Sequence, residues 1–237
     1  MTIDDRAVNR VLSILSDIGP EISNAGRPDS ALAVITRHAT TVVPSSVCAG
    51  ITRATDTGFE TIGATDPLTL SVDAIQYSLT SGPCVDAALT NSVFRTGDLS
   101  NDPRWPEFGV RTAEETGVQS MLSFRMFFED VNYIAALNLY ALELDAFDSE
   151  DELAGLAITT FGALAVTSAR RQERITNLER ALESNRDIGV AIGVLMGLHR
   201  ITREESFDLL RIASQGRHRK LVDIARDVAE TGSLDLV

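Results

Sequence analysis

The feature that most constrains the fold is a long stretch without proline, from residue 149 to 196. Within it, a set of mainly apolar residues falls at alternating spacings of three and four, as on a helix that packs through one face. The set is Ala154, Ala157, Phe161, Leu164, Ser168, Arg171, Ile175, Leu178, Leu182 and Asn185. The pattern predicts amphipathic helix packed on its own domain, or a helix that leaves that domain and pairs in parallel with a second copy. In the second case, polar Asn185 would help to set the register.

Four segments before this stretch have the composition of β-strands. Residues 47–52 and 59–64 flank Asp56-Thr57-Gly58, a sequence typical of a hairpin turn. Residues 120–128 and 133–141 are rich in aromatic and branched side chains and are separated by a short polar segment, 129–132. They predict an antiparallel hairpin.

Helices are predicted around these strands. Apolar spacing indicates a first helix over residues 4–18, stopped by Gly19-Pro20, and a second that begins near Pro28. Two weaker helices are expected over residues 72–79 and 84–90. Ser149 is predicted to cap the long helix.

After the long helix, the sequence predicts two short helices that complete a three-helix bundle. Thr202 and Glu205 have the spacing of a capping box, as do Ser149 and Glu152 at the start of the long helix. Gly216 is expected to end the first of the short helices and Gly232 the second. Such a small bundle would be marginally stable alone.

Charge is unevenly distributed along the chain. Up to Ala169 there are 9 Lys and Arg against 23 Asp and Glu, and after it 12 against 11, so the two parts carry −14 and +1. The total of −13 argues against a general polyanion binder unless basic groups gather on one surface. Arg217-His218-Arg219-Lys220, which contains the only lysine, is such a gathering, although a short basic run is also common at a solvated helix end.

Other functional classes have little support in the sequence. The longest mainly apolar stretch, residues 153–166, is too short to span a bilayer, and the acidic N-terminus lacks the features of an export signal. Two cysteines cannot form a disulfide framework, which agrees with a reducing cytosol. The three histidines lack ligand spacing, so no metal site is expected. No catalytic triad or phosphate loop is recognised, and no enzyme is predicted.

The C-terminal part resembles the ANTAR RNA-binding domain of bacterial antiterminators over residues 178–234. The resemblance rests on Asp187-Ile188, Gly193-Val194-Leu195-Met196, Glu205-Ser206-Phe207, Leu210-Arg211, Ser214-Gln215 and Leu221-Val222-Asp223-Ile224-Ala225. Residues 28–170 are similar to a GAF domain. That similarity rests on Gly82-Pro83-Cys84, Asp98-Leu99, Asp102-Pro103-Arg104-Trp105-Pro106, Gly117-Val118, Ala135-Ala136-Leu137-Asn138-Leu139-Tyr140 and Phe147-Asp148.

These resemblances imply an α+β protein of the GAF-ANTAR family. The expected order is an N-terminal helix (1–26), an antiparallel-sheet GAF sensory domain flanked by helices (27–170), a coiled-coil linker helix (171–185) and a three-helix ANTAR bundle (178–234). The implied function is a cytoplasmic, homodimeric regulator that binds tandem RNA hairpins in nascent transcripts and acts by antitermination. An unidentified small molecule or protein would provide the signal at the GAF domain. No cofactor and no membrane association are implied.

Residue by residue, the ANTAR resemblance implies an RNA-binding face and a set of closely packed small residues. The proposed RNA face is Arg186, Arg211, Ser214, Gln215, Arg217, His218, Arg219 and Lys220. The packed positions are Ala191, Gly193, Ala213, Ala225 and Ala229. The chain departs from its relatives at Ile192, where many have lysine, and at Ser206, where alanine is usual. Ile192 is therefore a candidate for the dimer seam instead of a phosphate contact.

Three residues of the GAF-like part are candidate ligand contacts: Cys84, Asp98 and Trp105. Cys84, at a predicted helix start, is either a low-pKa thiolate or a buried structural cysteine, and Cys48 is expected in the core. The polar cluster of Asp98, Asp102 and Arg104 beside Trp105 lines a cleft or stabilises a turn. Two alternatives to an RNA regulator remain. One is a protein-interaction module without RNA binding, and the other is a thiol enzyme that uses Cys84.

Overall fold

The computed structural model describes residues 5–90, 93–128 and 134–234. Its backbone contacts divide the chain into two compact units, residues 1–172 and 173–237. The first unit contains the sheet, and the second contains the C-terminal helices.

The helices and strands alternate irregularly along the chain. In order, they are α1 (Asp5–Ser23), α2 (Pro28–Val42), β1 (Cys48–Thr55), β2 (Gly58–Ala64), α3 (Pro67–Leu79), α4 (Pro83–Thr90), β3 (Val93–Thr96), α5 (Pro106–Thr116), β4 (Ser120–Met126), β5 (Ile134–Ala141), α6 (Ser149–His199), α7 (Arg203–Arg217) and α8 (Leu221–Thr231). A short 3-10 turn, Leu99–Asn101, precedes α5. The predicted fold class, an antiparallel sheet with flanking helices followed by a long helix and C-terminal helices, is confirmed.

The sheet has five strands in the order β2-β1-β5-β4-β3, with every neighbouring pair antiparallel. The predicted pairing of β4 with β5 is confirmed, with Leu122 opposite Leu139 and Phe124 opposite Leu137. The turn predicted at residues 129–132 lies outside the described residues. The strands predicted over 47–52 and 59–64 form the β1–β2 hairpin around Asp56 and Thr57.

Helices cover both faces of this sheet. Because side chains on a strand alternate between its two sides, one strand contributes to the apolar core on each face. Leu122 and Phe124 of β4 face a cluster that includes buried residues of α1, α2 and α6. Met121, which directly precedes Leu122 and faces the other side of the sheet, belongs to a second cluster with Trp105 and Phe108. The first unit is therefore a three-layer structure with a separate apolar core on each face of the sheet.

Helix α1 corrects the first prediction, since it continues through Gly19 and Pro20 to Ser23. A proline inside a helix removes one backbone hydrogen bond and costs about 3 kcal/mol. Ile18 and Ile22, on either side of Pro20, are both buried in the core that includes α2. Tertiary packing thus outweighs the local stop signal.

Three further elements differ from expectation. Helix α3 begins at Pro67, five residues before the predicted start, because Asp66 caps it by accepting a hydrogen bond from the Leu68 amide at 2.8 Å. Strand β3 and helix α5 were not predicted. Helix α5 begins at Pro106 and ends at Thr116, and Gly117 caps it with a φ of 76°, which suits glycine.

The capping box predicted for α6 is displaced by one residue. The Asp148 carboxylate, not the Ser149 hydroxyl, accepts hydrogen bonds from the amides of Glu150 and Asp151 at 2.8 and 3.0 Å. Asp151 accepts one in return from the Asp148 amide at 3.3 Å. Carboxylates therefore fill both positions of the box.

Helix α6 is longer than the apolar stretch from which a membrane span was excluded on sequence grounds. Among the described residues it is the one helix long and apolar enough, by length and composition, to cross a membrane, and 44% of its most apolar window is buried inside the fold. The exclusion relied on residues 153–166 alone, so this finding corrects its basis. A single such helix is weak evidence for a span, because core helices of soluble proteins have the same composition.

In the second unit, the C-terminal part of α6 packs with α7 and α8 around one apolar cluster that contains Leu195, Leu210 and Ile224. The capping box of Thr202 and Glu205 is present, and Gly232 caps the end of α8 as predicted. The end predicted for α7 at Gly216 is wrong. Helix α7 runs on to Arg217, and His218 adopts the left-handed conformation that closes it, with φ of 52°.

Candidate nucleic-acid interface

The basic run lies at the turn between α7 and α8, whose conformation is fixed by local hydrogen bonds. The Ser214 hydroxyl donates to the Arg219 carbonyl at 2.6 Å, and the Arg219 amide donates to the Ser214 carbonyl at 3.1 Å. The His218 amide donates to the Gln215 carbonyl at 3.4 Å. These bonds hold His218, Arg219 and Lys220 on the surface, where all three are exposed.

The start of α7 is also fixed by local hydrogen bonds. Glu205 accepts from the Thr202 amide at 2.8 Å and from its hydroxyl at 3.0 Å, and these hydrogen bonds lower the pKa of Glu205. Ser206, where the ANTAR resemblance leads us to expect alanine, is buried and donates its hydroxyl to the Thr202 carbonyl at 2.8 Å. The departure from the family pattern therefore leaves no unsatisfied hydroxyl.

Carboxylates accompany two of the arginines predicted to bind RNA. Arg219 Nη1 lies 2.6 Å from Asp227 Oδ2, and this hydrogen bond raises the pKa of Arg219. Arg211 Nη2 lies 3.0 Å from Asp208 Oδ1. Both pairs are exposed and screened by solvent, so each contributes little to stability.

The structure brings together seven of the eight predicted RNA-face residues. Four of them, Arg211, Ser214, Gln215 and Arg217, lie in the last two turns of α7, and the other three form the turn that follows. Arg186 lies apart from them, on α6, and no hydrogen bond or ion pair among the described residues joins it to that turn. Its neighbour Asp187 instead binds Arg226 of α8 at 3.1 Å.

Small residues pack the bundle at most of the predicted positions. Ala191, Ala213 and Ala225 are buried, and Ala229 is half-buried. Gly193 is an exception. It is exposed, and a Cβ atom added there would meet no atom of the described residues within 4 Å, so its predicted close packing is absent among them.

Ile192 is also placed differently from the expectation. Its side chain is 7% exposed and belongs to the apolar cluster of its own bundle. The suggestion that it lies in a dimer seam is therefore wrong, because the heptad pattern alone did not reveal that α7 and α8 cover this side of α6.

The first unit contains the three candidate ligand contacts. Cys84 and Trp105 belong to the same buried cluster, and Trp105 Nε1 donates to Asp86 Oδ2 at 2.7 Å. Asp98 caps the short turn before α5 by accepting from the Asn101 amide at 3.2 Å. Each of these side chains thus has a structural contact.

The polar cluster around Trp105 is held together by Arg104. Its guanidinium forms an ion pair with Asp102 at 2.6 Å and lies 4.3 Å from the centre of the Trp105 ring. The hydrogen bond from Arg104 lowers the pKa of Asp102 to about 2. The turn interpretation of these residues agrees with this geometry.

Burial decides the chemistry of Cys84. The residue is fully buried, and desolvation raises the pKa of its thiol well above the ordinary range. The low-pKa thiolate hypothesis is therefore wrong, since a helix start does not stabilise a charge that has been removed from water. Cys48 is buried as expected, and burial also raises its pKa.

A buried polar network lies close to Cys84. Asp73 accepts hydrogen bonds from the hydroxyls of Tyr140 and Thr61, the latter at 2.7 Å. Desolvation raises the pKa of Asp73 to about 6, although both hydrogen bonds oppose this change. The Tyr77 hydroxyl extends the network to Thr52 at 2.8 Å.

Comparison with known proteins agrees with this division of the chain. Residues 176–228 match the ANTAR domain family. A comparison with curated proteins returned no match. Solved structures resemble the chain at low sequence identity, which establishes a shared fold and nothing further.

Three of those structures show the range of proteins with this fold. The GAF domain of a phosphoenolpyruvate-protein phosphotransferase from Coxiella burnetii is 17% identical, with 71% of this chain and 98% of that chain covered and a TM-score of 0.51. The phycoerythrobilin-bound GAF domain of a cyanobacterial phytochrome is 13% identical, with 73% and 100% covered and a TM-score of 0.52. Free methionine-R-sulfoxide reductase from Neisseria meningitidis is 16% identical, with 74% and 96% covered and a TM-score of 0.51.

The sheet unit and the helical bundle together define a two-part chain. Its architecture is GAF-ANTAR: a GAF-like fold in the N-terminal region followed by an ANTAR domain. The likeness to the reductase extends to the fold alone.

Sequence reasoning missed two residues that shape the basic surface. Asp227 binds Arg219, and Arg226 joins α8 to Asp187 of α6. The sequence contains a signal for the contact between Arg219 and Asp227. Asp223 and Asp227 follow Arg219 by four and eight residues, which is the spacing of residues on one face of a helix.

Proposed function

We propose that the protein is a cytoplasmic, homodimeric and signal-responsive regulator that binds tandem RNA hairpins in nascent transcripts and acts by antitermination. The observation that carries this proposal is the match of residues 176–228 to the ANTAR domain, with a fixed and exposed basic turn inside it. The GAF-like unit is the proposed sensor.

The basic turn has the chemistry that hairpin recognition requires. Arg219 and Lys220 supply fixed positive charge for phosphates, while Ser214 and Gln215 supply hydrogen-bonding groups. RNA loops expose base edges that such side chains contact, and phosphate contacts position the protein. Arg186, Arg211, Arg217 and His218 complete the proposed face.

Homodimerisation is supported by the exposed surface of α6 in the second unit. Ile175, Leu178 and Leu182 are among the exposed large apolar side chains, and they follow the alternating spacing described above. Pairing of this surface with a second copy removes it from water and presents two RNA faces to two hairpins.

The signal is proposed to enter at the first unit, with Cys84, Asp98 and Trp105 as candidate contacts. By linkage, it alters RNA affinity only as far as it binds the RNA-competent arrangement more tightly than the other. A cytoplasmic location follows from the proposed action on nascent transcripts.

The test is binding of the full-length protein to a tandem-hairpin RNA and to a scrambled RNA at several salt concentrations, with the Arg219→Glu/Lys220→Glu variant alongside. We expect specific, salt-sensitive binding that this variant loses. The Arg37→Glu/Arg111→Glu variant is the matched control, because it changes the net charge equally at exposed sites of the first unit.

Two results would contradict the proposal. Absence of hairpin binding by the wild-type protein would favour a protein-interaction module. Equal loss of binding in both double variants would show that net charge, and not the turn between α7 and α8, determines the affinity.

A further inference from the structure

The exposed apolar stripe on α6 does not end where the coiled-coil pattern ends. Ile175, Leu178 and Leu182 are 48%, 64% and 69% exposed and occupy successive a, d and a positions of a heptad, with Asn185 at the next d position. Gly189, Gly193 and Met196 then follow at spacings of four, four and three.

The change in spacing keeps these residues on one face. A strict heptad drifts around a straight helix by about 20° in each repeat, and an extra step of four residues restores the direction. Gly189, Gly193 and Met196 therefore continue the stripe of Ile175 to Asn185, while Ile192 and Leu195 are buried on the bundle side of the same helix.

No close contact with the described part of the chain explains Gly189 and Gly193. Glycine inside a helix costs about 1 kcal/mol relative to alanine. Earlier in α6, Gly155 and Gly162 are explained by close packing, since a Cβ atom would lie 2.3 Å from the Phe124 ring and 2.4 Å from Ile35. At Gly189 and Gly193, a Cβ atom would meet nothing within 4 Å.

We infer that α6 of a second copy packs in parallel against this face, so that the helix pair extends past Asn185 into the ANTAR bundle and the backbones approach closely at Gly189 and Gly193. The inference rests on the proposed homodimer and specifies its contact. It adds that the two bundles touch each other directly, whereas a linker coiled coil alone would leave them separate.

Charge placement favours a parallel second copy as the occupant. Arg174 precedes the a position at Ile175, and Glu179 follows the d position at Leu178. In a parallel pair, these flanking positions of opposite helices lie side by side, so that arginine meets glutamate. An antiparallel pair instead brings equivalent flanking positions together, which places like charges against each other.

The groove beside the stripe is suited to protein rather than to RNA. It has a volume of about 820 Å³ and lies between α6, with Gly189 and Ile192, and the start of α7. Its charged walls are formed by Arg203, Glu204 and Asp208, so carboxylates outnumber guanidinium groups and repel phosphate. Phe207, 41% exposed, offers an apolar contact to side chains of the second copy.

The first test is disulfide cross-linking of the full-length protein. The Cβ atoms of a disulfide lie about 3.5–4.5 Å apart, so Gly193→Cys forms a covalent dimer only if the two helices approach closely at that residue. Both native cysteines are buried and supply a silent background. Gly216→Cys is the matched control, because Gly216 is an exposed helical glycine with open space around it, on α7.

We expect rapid oxidation of Gly193→Cys to a covalent dimer and little oxidation of Gly216→Cys. A second variant, Gly189→Arg/Gly193→Arg, is expected to raise the dimer dissociation constant in sedimentation at least tenfold, whereas Gly216→Arg leaves it unchanged. Circular dichroism confirms that both variants remain helical.

The outcomes separate this inference from the proposed function. If the wild-type protein is a dimer that binds hairpin RNA, but Gly193→Cys cross-links no faster than Gly216→Cys, the glycine contact is refuted and the RNA regulator stands. A monomeric wild type that binds hairpin RNA refutes the glycine contact together with the proposed dimer. A dimer with the expected cross-link but without RNA binding supports the contact and contradicts the RNA function.

Discussion

Asp227 holds Arg219 at the start of α8, with Oδ2 of the aspartate 2.6 Å from Nη1 of the arginine. The pair orients the arginine of the proposed RNA face in the absence of RNA. If Arg219 binds a phosphate as proposed, Asp227 places a negative charge at that position, so that RNA and Asp227 would compete for the same guanidinium.

We therefore predict that Asp227→Asn tightens RNA binding. Because the pair is exposed and screened by solvent, we expect loss of the competing charge to increase the affinity by about fivefold or less at low salt. Equilibrium binding to the tandem-hairpin RNA measures the change. Glu60→Gln, which breaks an exposed pair with Arg53 in the first unit, is the control. Weaker binding by Asp227→Asn would mean that the carboxylate is needed to orient Arg219.

Asp73 predicts a dependence of stability on pH. Burial raises the pKa of this carboxyl from 3.8 to about 6, so between these values the folded protein retains a proton that the unfolded chain has released. The contribution of Asp73 to stability is therefore present at low pH and is lost as the pH rises from about 4 to about 6, by about 3 kcal/mol at most.

Urea denaturation of the wild type and of Asp73→Asn from pH 4 to pH 7 tests this sign. The free energy of unfolding of the wild type, relative to the variant, is expected to decrease from about pH 4 through pH 6 and to level off towards pH 7. Parallel pH profiles of the two proteins would show that Asp73 does not titrate in this interval.

We predict that the reactivity of the two cysteine thiols differs between the folded and the unfolded protein. Cys48 and Cys84 are buried, and burial raises the pKa of both thiols. Since thiolate is the reactive form, we expect no rapid reaction with Ellman's reagent in the folded protein at pH 8 and reaction of both thiols in denaturing urea. Rapid labelling of Cys84 in the folded protein would restore the thiol-enzyme alternative.

We predict that adding one methyl group to α6 at Gly155 lowers the free energy of unfolding. A Cβ atom there would overlap the Phe124 ring, so Gly155→Ala is expected to destabilise the fold by about 1–3 kcal/mol despite the better helix propensity of alanine. Gly216→Ala, in an open position on α7, is expected to gain at most about 1 kcal/mol. Denaturation followed by circular dichroism compares the two, and similar effects would contradict the packing argument.

Local chemistry explains which parts of the fold were predictable. The β4–β5 pairing, the box of Thr202 and Glu205 and the stop at Gly232 depend on residues close in sequence. Helix α1 passes Pro20 because distant core residues hold Ile18 and Ile22, and no local pattern contains that information. The start of α3 is indicated by Asp66 and Pro67, an N-cap followed by a proline. The apolar spacing, on which the prediction relied, begins only at later residues.

The candidate interface was predictable in composition and less so in geometry. The basic run identified the turn between α7 and α8, because its charges are adjacent in sequence. The partnership of Arg219 with Asp227 depends on how α8 leaves the turn, which the left-handed conformation of His218 decides. The depressed pKa suggested for Cys84 failed because sequence position indicated a helix start but not its complete burial.

Trp105 is the single tryptophan of the chain, and it lies in the first unit with its indole bonded to Asp86 and its ring beneath Arg104. Its emission is therefore an intrinsic optical probe of the GAF-like unit alone, without any label. Because the proposed RNA face contains no tryptophan, a change in that emission on addition of RNA would record communication between the two units in real time. The same signal would allow small molecules to be screened as effectors on the unmodified protein.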